Sequence, residues 1–272
     1  MATLRAKSVA RTNAARAKLR AAALRPEDRP RYDHLITEDN TPVESLLAEA
    51  HYRLLVATLY DSWDGPLNAP GQFLAAANVG VFNTDLNPLP PVCPDMLLSL
   101  GVKAPKNLYK KENGSYFIWR FGKPPDVTVE IVSDTEGGED TTKLAHYAAI
   151  KVNYYVIFDP LQKLKKGVLR VYALERSQYK LMKEPYFFPE AGIGLKLWQG
   201  TFEGKEATWL RWCDERGKLI PTGHERAEQE KRRAVKAQQQ TRQEKQRAAA
   251  AEEKAKRLAD KLRKLGVDPD AE

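Results

Sequence analysis

The stretch Pro125-Asp126-Val127-Thr128-Val129-Glu130-Ile131-Val132-Ser133 decides how this chain is read. Its β-branched residues favour an extended backbone, so it predicts a strand over Asp126–Val132. Strand alternation puts Val127, Val129 and Ile131 on one face and Asp126, Thr128, Glu130 and Val132 on the other. An apolar face opposite a carboxylate-bearing face suits a strand that lines a site.

Reading outward, Ser133 to Asp140 contains Gly137-Gly138 and is expected to be a loop. Asp140 or Thr141 then caps a helix running to about Ile150. Asn153–Phe158 follows as a buried strand closed by Asp159-Pro160. Strand, helix and strand with short joins imply a βαβ crossover and a parallel strand pair. Upstream, Pro88, Pro90 and Pro91 stiffen a turn into Cys93-Pro94-Asp95-Met96-Leu97-Leu98, read as a short strand. Tyr116–Trp119 suits another, broken by Gly122-Lys123-Pro124-Pro125, and Val79, Val81 and Phe82 suit a third. From Pro42 to about Trp63, Leu46, Leu47, His51, Leu54, Leu55, Thr58 and Leu59 recur at helical spacing.

The net charge of +8 sits at the ends of the 272-residue chain. Residues 1–33 carry +6 and residues 224–272 carry +4, which leaves the body at −2. The basic balance therefore does not assign a nucleic-acid face to the body. Three segments follow: a basic lead-in over 1–33, helical or disordered; a mixed body over 34–222; and a charged helical tail over 223–272. The first 26 residues lack an acid, as a mitochondrial transit peptide would; a basic helical lead-in on a bacterial protein is the other reading. Cys93 and Cys213 have no metal-ligand spacing and are read as reduced thiols of a cytoplasmic protein. No apolar run reaches the roughly 20 residues needed to cross a bilayer.

Glu225 to Leu265 lacks Pro and Gly and is rich in helix formers. A 3-4 stripe through it holds mostly Ala, Glu and Thr, with leucine at 258, 262 and 265. Two readings stay open: a weak coiled coil, hence a homodimer, or a solvated single helix held by pairs such as Glu252–Lys256.

Three features converge on one chemistry. Pro94-Asp95 opens an apolar strand, Glu130 lies on the polar face of another, and Lys143 sits in the first turn of the helix after it. Magnesium takes oxygen ligands and keeps several waters, so two carboxylates from neighbouring strands suffice to seat it. A nearby lysine offsets phosphate charge and orients the attacking water.

In this order the features resemble the "Putative restriction endonuclease" family of the PD-(D/E)XK nuclease superfamily, common in cyanobacteria and other bacteria. The resemblance runs from Pro94-Asp95 through Tyr116–Trp119, Pro124–Ser133 and Asp140–Tyr147 to Tyr154–Pro160. It extends upstream to the helix with Glu49 and His51 and downstream to the charged tail. It implies an α/β, restriction-endonuclease-like mixed central sheet flanked by helices, over 34–222, with a long C-terminal helix. It further implies Glu49, Asp95 and Glu130 as metal ligands for Mg²⁺ or Mn²⁺, with Asp95, Glu130 and Lys143 catalytic. The usual Glu-x-Lys is absent, since Ile131 and Val132 follow Glu130; Lys143 takes the lysine's place from the helix. Asp126 is expected to open its strand rather than bind metal; His51 is read as a packed core residue, with a place beside the site next to Glu49 as the other reading. The implied activity is metal-dependent DNA endonuclease cleavage, with nucleic acid and no membrane as partner. The rival from another class is a catalytically silent interaction module that assembles through its C-terminal helix.

Overall fold

The computed structural model describes residues 45–84, 90–133 and 137–264. The chain divides into two units, Met1–Thr222 and Gly223–Glu272. The first is built on a six-stranded mixed sheet with strand order β1-β3-β5-β6-β7-β8. Its members are β1 (Phe73–Ala77), β3 (Met96–Leu100), β5 (Val127–Ile131), β6 (Tyr154–Phe158), β7 (Leu169–Glu175) and β8 (Gln178–Leu181). Only β5 and β6 pair in parallel; every other neighbouring pair is antiparallel. The parallel pair is joined by α3 (Thr142–Ala149), so the crossover read from the sequence is present.

Both faces of this sheet are covered. On one, Met96, Leu98, Val127, Val129, Val156 and Phe158 pack against Ala48, Leu55 and Leu59 of α1 (Leu46–Ser62). The same layer includes Leu195, Leu210 and Trp212 of a three-stranded antiparallel sheet, β9 (Tyr186–Phe188), β10 (Ile193–Phe202) and β11 (Lys205–Cys213). Trp212 Nε1 donates to Leu55 O at 3.0 Å, tying that sheet to α1. Ser45 starts α1 as its N-cap, its Oγ accepting from Ala48 N at 3.2 Å. The opposite face of the large sheet holds Leu97, Tyr155 and Ile157 against Tyr147 of α3 and against Val81 and Tyr116.

Two local expectations change. The strand expected around Val79–Phe82 shrinks to β2 (Val81–Phe82), and the sheet's first strand is Phe73–Ala77. Phe-Leu-Ala-Ala-Ala has weak strand propensity; five register pairs with β3 hold it extended. Tyr116–Trp119 is only half a strand. β4 (Tyr116–Phe117) pairs in parallel with β2, and α2 (Ile118–Phe121) then turns helical until Gly122, at φ 78°, stops it.

In the second unit, α4 spans Gly223–Lys264, and ion pairs such as Lys256–Glu252 at 3.0 Å run along its surface. Leu258 is exposed, while Leu265 of the expected stripe lies outside the described residues, as does the Leu262 side chain. Among the described residues, no helix is long and apolar enough to cross a membrane. The basic lead-in over 1–33 also lies outside the described residues.

Candidate active site

β3 and β5 run antiparallel with Met96 opposite Val129 and Leu97 opposite Thr128. One residue further along, the same register sets Asp95 across from Glu130. Residues directly opposite on paired strands project to the same face. That face is the one covered by α3. Asp95 is buried, and its Oδ2 accepts the backbone N–H of Ile131, which locks the aspartate to the neighbouring strand.

Glu130 is 1% exposed, with each carboxylate oxygen engaged by a group from α3. Lys143 Nζ donates to Oε2 at 2.8 Å, and Tyr147 OH donates to Oε1 at 2.5 Å. Lys143 and Tyr147 are four residues apart on one helix, so they present a single face to the strand. Burial pushes the Glu130 carboxyl above its ordinary range, against the pull of Lys143 and Tyr147. Burial works to lower the Lys143 ammonium, but Glu130, Glu139 and Asp95 outweigh it and raise the group overall. Lys143 thus stays charged at neutral pH. Tyr147, buried beside Glu130, is held well above the ordinary phenol range.

Glu139 completes the cluster and was not expected from the sequence. It is buried, its carboxylate accepts Gly137 N at 3.0 and 2.9 Å, and Lys143 Nζ lies 3.6 Å from Oε1. Tyr155 OH donates to the Glu139 carbonyl at 2.7 Å, fixing the loop end to β6. The sequence signal was present in the i, i+4 spacing of Glu139, Lys143 and Tyr147, which reads as an ordinary amphipathic helix start without the strand beneath it. Arg170 was also missed. The register links Glu130 to Ile157 and Ile157 to Arg170, so Arg170 shares the row of Asp95 and Glu130. Its guanidinium is buried, with Nη1 3.5 Å from Asp140 Oδ2.

The remaining expected residues separate from this cluster. Glu49 is on α1, which packs against the opposite face of the sheet. Its carboxylate is gripped by Arg53, Nε to Oε1 at 2.7 Å and Nη2 to Oε2 at 3.1 Å, and Arg53 also bonds Glu203. That pairing holds Glu49 below the usual carboxylate range. His51 is fully buried, its ring 4.8 Å from Phe158 and 4.6 Å from Trp209, with Nδ1 2.7 Å from Leu47 O. It is a packed core residue. Asp126 closes the other end of β5, where its carboxylate accepts Leu100 N at 2.7 Å and Asn153 Nδ2 at 3.2 Å and pairs with Lys123.

The donor set fits a hard divalent cation. Each carboxylate oxygen has two acceptor sites, and the Glu130 bonds described use one on each oxygen. Among the described residues, no three His, Cys, Asp or Glu side chains form a cation cage. Two carboxylates completed by waters is instead the habit of magnesium.

A family model described as "Putative restriction endonuclease", Uma2, matches residues 41–189, more than half of the chain and all of this cluster. The chain belongs to the Uma2 family. Among solved structures, the Uma2 chain is similar to one described as "a putative nuclease belonging to DUF820" from Anabaena variabilis. The two share 17% identity over 53% of this chain and 71% of that one, with a TM-score of 0.36. No curated protein matches it.

Proposed function

We propose that this Uma2 protein is a metal-dependent endonuclease that hydrolyses DNA phosphodiester bonds. The observation that carries the reading is the meeting of Asp95, Glu130 and Lys143 on one sheet face, with Lys143 bonded to Glu130 at 2.8 Å. Asp95 and Glu130 would hold Mg²⁺ or Mn²⁺. Bound there, the cation supplies Lewis-acid polarisation and a more acidic water.

The protein's own groups do the rest. Lys143, kept as an ammonium by the acids around it, offsets the phosphate's charge and orients a water; it is not the base. Tyr147 holds the Glu130 carboxylate in place from the second oxygen. The Ile131 N–H does the same for Asp95, so both carboxylates are pre-oriented before substrate arrives. Glu49 is left out of this set because α1 carries it on the opposite side of the sheet.

The test is cleavage of DNA and RNA with Mg²⁺ or Mn²⁺ by wild type, Asp95→Ala and Glu130→Ala. Wild-type cleavage lost in both variants supports the reading; equal activity in all three overturns it. Absence of cleavage by every form turns the reading toward a silent interaction module. Assembly through the charged helix is a separate question, answered by solution mass with and without residues 224–272.

A further inference from the structure

The segment between β3 and β4, residues 101–115, is mostly exposed and combines dense positive charge with a bare aromatic. Lys103, Lys106, Lys110 and Lys111 are all exposed, and Glu112 is the segment's single acid. Lys110 lies 4.0 Å from Glu112, while Lys103, Lys106 and Lys111 meet no carboxylate among the described residues. Beside them Tyr109 is 101% exposed and Leu108 69%. Tyr109 contributes no ring surface to any core and lies within this lysine-rich segment, on a body of net charge −2.

The loop is also preorganised. Tyr109 N donates to Asn107 Oδ1 at 3.0 Å, and Asn113 Nδ2 donates to Asn107 O at 2.5 Å. Arg120 Nε donates to Asn113 Oδ1 at 2.9 Å, pinning the far side of the loop to α2. A short 3-10 turn over Lys111–Asn113 closes it. The backbone under Tyr109 is therefore fixed while its ring faces solvent.

We infer that this loop is a single-strand nucleic-acid grip, in which Tyr109 stacks on an unpaired base and the four lysines bind flanking phosphates. Base–aromatic stacking on a cationic surface is the general means of holding single strands without reading sequence. The fold places the loop at one end of β3 and Asp95 at the other. The inference rests on the nuclease reading for its substrate class, and on the loop's own residues for the contact.

The test is fluorescence anisotropy of a labelled 20-nucleotide single strand, DNA and then RNA, in EDTA so that no cleavage occurs. Wild type, Tyr109→Ala, Tyr109→Phe and Lys106→Gln/Lys110→Gln are compared over a salt series, with the matching duplex as a further ligand. Tyr109→Ala should weaken single-strand binding by about 5- to 150-fold, the range that the loss of one stacked base implies. Tyr109→Phe, which keeps the ring, should bind as wild type does. The double lysine variant should lower the slope of log affinity against log salt by about 0.7 per lysine. Equal affinity of Tyr109→Ala and wild type overturns the inference, as does absence of single-strand binding by wild type. A duplex preference insensitive to Tyr109 also overturns it. Because the readout is binding alone, a protein that grips strands but never cuts them refutes the nuclease reading and leaves this one standing.

Discussion

Lys143 Nζ and Glu130 Oε2 meet at 2.8 Å, joining the first turn of α3 to the C-terminal end of a buried strand, 13 residues earlier in the chain. Glu130 is 1% exposed, so its charge relies on this contact and on Tyr147. Lys143→Met is expected to destabilise the fold by about 3 kcal/mol at neutral pH, because it leaves a buried carboxylate short of its cation. In a Glu130→Gln background the same substitution should cost much less. Urea denaturation of the four proteins measures this coupling. Additive effects would show that the pair is not energetically linked.

The same burial sets a pH dependence. The Glu130 carboxyl is raised above its ordinary value of 4.5, so the folded chain binds that proton more readily than the unfolded chain. Its contribution is fully present below about 4.5 and is lost as pH rises through the folded value. Relative to Glu130→Gln, wild type should therefore lose stability as pH climbs from 4.5, by at most about 1.4 kcal/mol per pH unit. Denaturation curves of both proteins from pH 4.5 to 8 check the sign. A constant difference between them would count against it.

Asp126 should behave as a structural aspartate. Asp126→Ala strips a buried acceptor from Leu100 N and from Asn153 and Lys123, and is expected to cost about 2–3 kcal/mol. Cleavage by the fraction that stays folded should match wild type, in contrast with Asp95→Ala. Thermal melts paired with cleavage at a temperature well below the transition separate the two roles.

Glu49→Gln should cost less than about 1 kcal/mol, since its ion pair with Arg53 is 40% exposed on the acid's side. Metal-dependent cleavage should be unchanged. A loss of cleavage with the fold intact would return Glu49 to the metal set despite its place on α1.

Three strands of the sheet, β3, β5 and β6, were legible along the chain because the reasons are local. Val127–Ile131 alternates, Tyr154–Phe158 is continuously apolar, and short joins leave only a crossover between them. Propensity failed where pairing overrides it, at Phe73–Ala77, and where a short helical turn interrupts an aromatic run, at Ile118–Phe121. The final third of the body, from β7 to β11, showed no chemistry-bearing pattern, although it supplies Arg170 and the sheet that packs beside α1.

By itself the sequence determined that Asp95 opens one strand, that Glu130 sits on another and that Lys143 follows on a helix, since alternation and capping act over a few residues. Only the tertiary structure decided which of these groups share a face. Antiparallel register sets Asp95 across from Glu130, and helix packing brings Lys143, Tyr147 and Glu139 onto them. Glu49 goes elsewhere because α1 lies on the opposite face, where Arg53 neutralises it. A carboxylate's role depends on what is within a few ångströms of it, and only the folded chain sets that distance.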